Sequence, residues 1–301
     1  SVLSSVSYSQ VAIHKKFGGI VPNLASRAHL EKISPTVRAS LLIPRINSSE
    51  IDLIAVTRGP GLLPSLLVGI NFARALAYKW QKPIIGVNHI EGHIYSNWLN
   101  KRASEIRFPA LILIVSGGHT ELVLMKNYGE YKIIGRTLDD AAGEAFDKTA
   151  RLLGLGFPGG PAIAIQAKKF EKLKTINYQL KADLPRPMIN SKDYNFSFSG
   201  LKTAVLYLYN DLVKKYPISK IRPALAFEVQ NAIVDVLTAK TLKAARNFNP
   251  KSVMVVGGVS ANKKLREEMA SKLRSYEISL FIPDLAYTTD NAAMIAAAGY
   301  F

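Results

Sequence analysis

The sequence has 301 residues, of which 48% are hydrophobic, enough to bury a core in one large or two smaller domains. None is cysteine, which excludes disulfides, thiol catalysis and zinc–thiolate sites within this sequence. Basic residues number 39 against 22 acidic ones, so the formal net charge is +17 and the protein is expected to attract polyanions.

The positive charge is concentrated in one part of the chain. Residues 161–275 hold 21 basic and 8 acidic residues. This stretch indicates either a face that meets nucleic acid or simply a basic soluble surface, and charge alone does not separate the two. The longest apolar runs, such as Leu111 to Val115, are far shorter than the roughly 20 residues of a membrane helix. We therefore expect a soluble protein that binds no membrane, and the first residues show no signal peptide or Arg-rich leader.

The first part of the chain alternates short apolar runs with amphipathic segments. In chain order, the predicted elements are a strand at 51–56, a helix at 64–78 after the turn Gly59-Pro60-Gly61, a strand at 83–87 and a helix beginning at His89. This βαβα order favours an α/β fold with a largely parallel sheet.

From residue 108 the pattern changes to successive short strands, which predict an antiparallel meander and the start of a second lobe. The remaining predicted elements are strands at 111–115, 121–125, 131–136 and 252–256, helices at 139–153, 199–209, 224–247 and 261–273, and an exposed loop at 174–196. We expect two related α/β lobes, 1–107 and 108–301, with the last helix packing back on the first lobe. A ligand is expected in the cleft between them.

Two of the five histidines lie in the pentapeptide His89-Ile90-Glu91-Gly92-His93. Histidines four residues apart share a helix face, so they can hold one ion, although they can also be ordinary surface or capping residues. Glu91 is badly placed to act as the general base of the zinc-protease pattern. Asp290 precedes a helix of small residues and is either its N-cap or a third, oxygen ligand. A two-histidine, one-carboxylate site keeps open positions that polarise a substrate oxygen.

Two glycine turns are candidates for ligand contact. Ser116, Gly117 and Gly118 lie between two strands, where such a turn suits a phosphate or carbonyl oxygen or is a plain hairpin. The second turn, Gly257 to Asn262, joins a buried strand to a helix whose N-terminus favours anions. Asn262 can bond a ribose or a base; the alternative is a simple connection in which Ser260 is the N-cap.

Nine short stretches, in the same order, resemble the tRNA threonylcarbamoyladenosine transferase family. They are Gly18–Pro22 with Ser26-Arg27, the Gly59–Gly61 turn with Ser65 and Gly69, His89–His93, Val115–Thr120, Asp139–Asp147, Phe157–Pro161, Phe196–Gly200, Gly257–Asn262 and Thr289–Met294. Each stretch is weak alone, and their common order carries the resemblance.

The resemblance implies an actin/Hsp70/sugar-kinase (ASKHA, RNase H-like) fold of two related lobes with a nucleotide in the interlobe cleft. It implies one divalent metal of the Fe, Zn or Mn type on His89, His93 and Asp290. It also implies that threonylcarbamoyl-AMP or ATP is contacted by a set of residues in the second lobe. These are Ile114, Val115, Ser116, Gly117, Gly118, Asp147, Gly160 and Asn262. No catalytic general base is assigned.

The activity implied by the resemblance is transfer of a threonylcarbamoyl group from threonylcarbamoyl-AMP to the exocyclic amine of an adenosine. That adenosine lies beside the anticodon in tRNAs that read A-starting codons, and a threonylcarbamoyl-AMP synthase supplies the donor. Two alternatives stay open: a non-catalytic scaffold paralogue, although such paralogues lack the paired histidines, and an O-carbamoyltransferase acting on a small molecule. A metalloprotease is disfavoured because the sequence lacks His-Glu-x-x-His.

Two departures from the family pattern bear on the branch. Members usually open with a strand-turn-strand carrying Glu-Thr-Ser-Cys-Asp, and this sequence begins downstream of it, so we expect the first hairpin of the first lobe to be missing. Archaeal and eukaryotic cytosolic relatives carry a Tyr where this chain has Ile114, which favours the bacterial and mitochondrial branch. The high positive charge favours its mitochondrial members and a matrix location; the alternative location is the bacterial cytoplasm. Resemblance to the mitochondrial members implies a homodimer that works without auxiliary subunits.

Overall fold

The computed structural model of the chain describes residues 1–100, 102–174, 180 and 182–301. The chain divides into two compact units: Ser1–Glu105 together with Pro283–Phe301 form unit 1, and Ile106–Ile282 form unit 2. The first break lies close to the boundary proposed after residue 107. Residues 283–301 belong to unit 1, in line with the expected packing of the last helix on the first lobe, so the second unit ends at Ile282 and not at residue 301. Within the described ranges, no helix combines the length and apolar character needed to cross a membrane.

The helices and strands of the described residues follow in chain order. The helices are α1 (Val11–His14), α2 (Pro22–Leu42), α3 (Leu63–Trp80), α4 (His89–Tyr95), α5 (Ala142–Leu152), α6 (Gly159–Lys174), α7 (Ser199–Leu212), α8 (Ile218–Phe248), α9 (Lys263–Arg274) and α10 (Ala292–Tyr300). The strands are β1 (Ile54–Gly59), β2 (Ile84–Asn88), β3 (Ala110–Val115), β4 (Thr120–Asn127), β5 (Glu130–Arg136), β6 (Ser252–Val256) and β7 (Ser279–Phe281).

Unit 1 is built on a parallel pair of strands. β1 pairs with β2, and α3 forms the crossover between them, which confirms the predicted βαβ order. α10 packs against α4 and against both strands. Its Gly299 permits this close approach, because a Cβ there would lie 2.8 Å from the Cβ of Ala55. The packing places the start of α10 and the start of α4 in the same unit.

Unit 2 contains a five-stranded sheet in the order β5-β4-β3-β6-β7. β3, β4 and β5 are antiparallel neighbours, as the predicted meander requires, whereas β3, β6 and β7 run parallel. Every residue of β3 and β6 is buried, so these two strands form the centre of the core. The helix faces predicted to be buried are buried in the structure. For α5 and the residue that follows it, these are Ala142, Ala145, Phe146, Thr149 and Leu153. For α9, they are Leu265, Met269 and Leu273.

Several features of the fold differ from the sequence prediction. α2 and α6 were not predicted, and α8 begins at Ile218, before the predicted start at residue 224. The segment 174–196 was predicted to be exposed; residues 175–179 and 181 lie outside the described residues. In its described part, Leu184 and Phe196 are buried because both pack into the core of unit 2. That prediction is therefore wrong for the end of the segment.

Candidate functional site

The first candidate site lies at the start of α4, directly after β2. Asn88 caps this helix, since its side-chain oxygen accepts a hydrogen bond from the Ile90 N–H at 2.8 Å. The helix therefore begins at His89, and His89 and His93 project from the same face. Their ring centroids are 4.8 Å apart, and the His93 side chain is only 2% exposed.

Asp290 approaches both imidazoles from the segment before α10. Its Oδ1 lies 3.4 Å from Nε2 of His89 and 3.2 Å from Nε2 of His93. The N-cap of α10 is the neighbouring residue, Asn291, whose side chain accepts a hydrogen bond from the Met294 N–H at 2.9 Å. The interpretation of Asp290 as an N-cap is therefore wrong, and its carboxylate is left to face the histidines.

The donor set of this cluster fits a divalent metal ion. The three ligand atoms of His89, His93 and Asp290 lie within 4.8 Å of one another. Two imidazole nitrogens and one carboxylate oxygen suit Fe, Zn or Mn. The protein atoms that surround the Asp290 carboxylate act to raise its pKa, although the side chain itself remains open to water on one side. Hydrogen bonds from both histidines outweigh this and hold the pKa of Asp290 well below its usual range. Because the side chain is 77% exposed, water screens this attraction.

Glu91, which lies between the two histidines, takes no part in the cluster within the described part of the chain. This agrees with the prediction that it points elsewhere.

The second candidate site, in unit 2, lies where β3 and β6 end. The two strands are parallel neighbours, so the turns that follow them emerge at the same edge of the sheet. In the first turn, Ser116 Oγ accepts hydrogen bonds from the N–H groups of Gly118, at 3.3 Å, and His119, at 3.0 Å. A Cβ added at Gly117 or Gly118 would meet nothing within 4 Å, so this turn borders open space.

Ile114 and Val115 were predicted to belong to the same ligand-contacting turn. The structure places both in β3 with fully buried side chains, so the turn begins only at Ser116. The reason is pairing: Ile114 is held between Glu121 of β4 and Val256 of β6. The side chains of Ile114 and Val115 therefore belong to the core.

The turn after β6 lies directly against the end of β3. Gly257 has a φ of +90°, and a Cβ there would lie 2.4 Å from the carbonyl oxygen of Val115. Asn262 is the N-cap of α9, because its Oδ1 accepts a hydrogen bond from the Leu265 N–H at 3.1 Å. Ser260 is buried in the 3-10 turn that precedes it, so the interpretation of Ser260 as the N-cap is wrong.

Asp147 and Gly160 are connected through α5 to the turn formed by Ser116, Gly117 and Gly118. The N–H of Gly143, in the first turn of α5, donates to the carbonyl oxygen of Ser116 at 3.1 Å. Asp147 follows one helical turn later, and its Oδ1 accepts a hydrogen bond from the Gly159 N–H at 2.6 Å. Burial raises the pKa of Asp147, although this hydrogen bond opposes the shift. A Cβ at Gly160 would meet nothing within 4 Å.

The structure adds one residue that the sequence did not single out. Gln230 of α8 is 6% exposed, and its Oε1 accepts a hydrogen bond from Nδ2 of Asn262 at 3.1 Å. A glutamine on a long helix carries no signal of such a partner, since the contact joins residues far apart in the sequence.

The chain is similar to proteins of one family along its length. The family profile described as tRNA N6-adenosine threonylcarbamoyltransferase (TsaD) matches residues 1–297. A relative of that name from Caldicellulosiruptor saccharolyticus is 47% identical over 300 residues, covering 100% of this chain and 86% of that protein. A relative of the same name from Bacillus subtilis is also 47% identical over 300 residues, covering 99% of this chain and 83% of that protein.

Solved structures give the fold. HypF from T. kodakarensis superimposes with a TM-score of 0.61 at 13% identity, covering 89% of this chain and 44% of that one. Full-length HypF in its phosphate- and nucleotide-bound form gives 0.56 at 12% identity, covering 88% and 40%. These likenesses support the predicted α/β fold of the ASKHA type. The family match over residues 1–297, together with the 47% identical relatives, establishes that this chain belongs to the tRNA N6-adenosine threonylcarbamoyltransferase family.

Proposed function

We infer that this chain transfers a threonylcarbamoyl group to an adenosine of tRNA. The observation that carries the inference is the cluster of His89, His93 and Asp290 in a chain that matches the transferase family over residues 1–297. The cluster joins the start of α4 to the segment before α10, which is far away in the sequence. Each helix is capped by an asparagine that is not one of the three ligands. A scaffold protein has no need to keep these three ligand atoms together.

The proposed metal is a divalent ion of the Fe, Zn or Mn type, held by the two imidazoles and the carboxylate. When bound, such an ion supplies a positive charge that stabilises negative charge on substrate oxygens. Two capping residues orient the ligands. Asn88 caps the start of α4, and Asn291 caps α10, so the Asp290 carboxylate does not have to serve as that cap.

The proposed donor is threonylcarbamoyl-AMP, with ATP as a related nucleotide ligand. Gly117, Gly118 and Gly160 border open space, which lets a ligand approach the backbone. Ile114 and Val115 can contribute only backbone groups, since their side chains are buried. The remaining proposed contacts are Ser116, Asp147 and Asn262.

The proposed acceptor is the exocyclic amine of the adenosine beside the anticodon, in tRNAs that read A-starting codons. The amine nitrogen forms a bond to the carbamoyl carbon, the bond from that carbon to the phosphate oxygen breaks, and AMP leaves with the electron pair. The amine loses one proton. The target base lies in an unpaired loop, where it can be turned into a pocket at modest cost. A threonylcarbamoyl-AMP synthase is the proposed supplier of the donor.

The basic stretch 161–275 is the proposed face for the tRNA backbone. Lys214 and Lys215 lie in the turn that follows α7, and both are exposed. Lys214 contacts Asp211 at 3.3 Å, and both side chains are strongly exposed, so this ion pair is weak. Both ammonium groups are therefore accessible to phosphates.

The finer placement in the mitochondrial branch, with a matrix location and a homodimer, rests on net charge and on Ile114. The two relatives from Caldicellulosiruptor and Bacillus are bacterial, which is consistent with the alternative of a bacterial cytoplasm. A single-subunit member is expected to modify tRNA with only the synthase added and to sediment as a dimer. A chain that needs auxiliary subunits, or that sediments as a monomer, would contradict this placement.

A transfer assay tests the proposed function. The purified chain is mixed with a threonylcarbamoyl-AMP-generating enzyme, ATP, threonine, bicarbonate and an unmodified tRNA that reads A-starting codons. The modified nucleoside is measured by mass spectrometry. We expect product with the wild type, none with the double variant His89→Ala/His93→Ala, and normal product with His29→Ala, a histidine of α2 outside the cluster.

Metal content is measured on the same preparations. Loss of metal in the double variant alone is expected. If neither protein makes product despite intact circular dichroism and added metal, the scaffold alternative is favoured. Product on a small hydroxylated acceptor, with none on tRNA, would favour the O-carbamoyltransferase alternative.

A further inference from the structure

The side chain of Asn262 has both ends of its amide engaged by the protein. The Leu265 N–H donates to Oδ1, so Oδ1 must face the helix terminus. Nδ2 then faces α8, where it donates to Oε1 of Gln230. The partners thus fix the orientation of both amides, since a backbone N–H can meet only an oxygen.

The two hydrogen bonds restrict Asn262 in different ways. The bond to Leu265 caps α9 and anchors one atom of the amide. The bond to Gln230 fixes the plane of the amide, and so fixes the direction of the second N–H on Nδ2. The Gln230 bond uses only one of the two N–H groups, and within the described residues the other has no recorded acceptor, so it can donate to a ligand.

Gln230 is well suited to hold this plane. It is 6% exposed on a helix that runs from Ile218 to Phe248, and α8 itself contacts β3. The turn that leads to Asn262 is also fixed, since Gly257 lies against the carbonyl oxygen of Val115. The backbone position of Asn262 therefore comes from the sheet edge, and its side-chain orientation comes from Gln230.

We propose that Gln230 is a positioning residue that aims the amide of Asn262 at an acceptor atom of the bound nucleotide. This rests on the proposed function in one respect, namely that Asn262 contacts the nucleotide. Gln230 does not touch the ligand and acts through Asn262. Its replacement should weaken nucleotide binding while leaving α9 capped and the metal ligands of unit 1 in place.

The experiment compares AMP binding and transfer kinetics in Gln230→Leu, Asn262→Asp and the double variant. Asn262→Asp keeps an oxygen to cap α9 and removes the N–H donors. We expect Gln230→Leu to weaken AMP binding, measured by titration calorimetry, and to raise KM for threonylcarbamoyl-AMP by about three- to tenfold, the worth of one hydrogen bond. The maximal rate and the metal content should change little.

The double variant distinguishes positioning from a general loss of structure. If Gln230 acts through Asn262, adding Gln230→Leu to Asn262→Asp should weaken AMP binding no further. Thr238→Val is the matched control, because Thr238 is a buried α8 residue whose hydroxyl has no hydrogen-bond partner in the described structure. It should bind AMP like the wild type.

Equal AMP affinity in the wild type and Gln230→Leu would overturn the proposal. It would also be overturned if Gln230→Leu weakened AMP binding by the same factor in the wild type and in Asn262→Asp. If Gln230→Leu fails to fold, Gln230→Met takes its place in the same titrations, and wild-type AMP affinity in that variant or in Asn262→Asp would also overturn the proposal. A wild type that binds AMP but makes no modified tRNA would count against the proposed function while the AMP titrations still judge Gln230.

Discussion

Ser199, the first residue of α7, donates two hydrogen bonds to the carboxylate of Asp139. Its backbone N–H lies 3.2 Å from Oδ1 and its hydroxyl 2.8 Å from Oδ2. The Phe198 N–H and the Ser197 hydroxyl donate to the same carboxylate. Asp139 therefore satisfies the start of α7 from a distant part of the chain, in the role that an N-cap residue normally fills.

Replacing Asp139 with Ala should destabilise unit 2 by about 1 kcal/mol, the usual cost of losing a helix cap at an exposed site. Burial disfavours the charged form. Hydrogen bonds from Ser197, Phe198 and Ser199 outweigh it and hold the pKa of Asp139 below its ordinary value. The stabilisation is thus present above the pKa of the unfolded chain and is lost as pH falls through the lower folded-state pKa.

Urea denaturation of the wild type and Asp139→Ala at several pH values measures this difference. The two midpoints should differ at neutral pH and converge in acid, below about pH 4. A difference in midpoint that stayed constant into strong acid would contradict the assignment of the effect to the carboxylate charge.

Asp290 and Asn291 are neighbours with separate roles, and matched substitutions should separate them. Asp290→Asn removes the anionic ligand and should lower the metal content while changing the thermal midpoint little. Asn291→Ala removes the cap of α10 and should cost about 1 kcal/mol of unfolding free energy. Metal analysis and thermal denaturation of both variants test this. Equal metal depletion with equal destabilisation would show that the two residues are not separable.

Two tightly packed helix glycines, Gly299 of α10 and Gly92 of α4, should respond differently to alanine. At Gly299 the new Cβ would meet the Cβ of Ala55, a rigid atom, at 2.8 Å, so α10 must shift and unit 1 should lose about 1–3 kcal/mol. At Gly92 the new Cβ would meet Cδ1 of Ile295 at 2.7 Å, but that atom ends a flexible side chain and can rotate away. In thermal denaturation, the midpoint of Gly299→Ala should lie well below that of Gly92→Ala. The reverse order would contradict this account of the packing.

The two glycine turns of unit 2 offer a similar contrast. Gly257→Ala should unfold or strongly destabilise the protein, because its φ is +90° and its Cβ would lie 2.4 Å from a carbonyl oxygen. Gly117→Ala should leave stability within about 0.5 kcal/mol, since the added methyl enters open space. If a nucleotide occupies that space, Gly117→Ala should weaken AMP binding. Unchanged binding in a folded Gly117→Ala protein would argue against the proposed contact.

Charge reversal tests the proposed tRNA face. Lys214→Glu/Lys215→Glu should raise KM for tRNA and reduce the salt dependence of binding, with the slope falling by about one for each phosphate that the protein no longer neutralises. Arg74→Glu/Lys79→Glu, on exposed positions of α3, makes the same change in net charge outside residues 161–275. Equal weakening in both double variants would show that net charge, and not this face, governs tRNA binding.

Some of this fold was predictable because its residues carry a clear pattern. β3 and β6 are continuous apolar runs with a turn after each, and their observed bounds match the predicted ones within a residue. The first strand was less well placed: β1 begins at Ile54 and not at residue 51. Its residues are only partly buried, so the sequence pattern marks its start weakly.

The helix caps were not predictable from residue type. Ser260 and Asn262 are both good caps, as are Asp290 and Asn291, and only the register of the helix decides between them. In each pair the asparagine is the cap. The contact between Gln230 and Asn262 was equally inaccessible, because it depends on how α8 packs beside the sheet edge.

The whole of unit 2 separates the two histidines of the proposed metal site from Asp290 in the sequence. During synthesis, His89 and His93 emerge from the ribosome long before the carboxylate that completes their ligand set. Metal loading in the three-ligand form must therefore wait until unit 2 has been made and α10 has docked on α4. A prematurely terminated chain keeps both imidazoles but lacks the third ligand, so full metal occupancy reports that synthesis has passed Asp290.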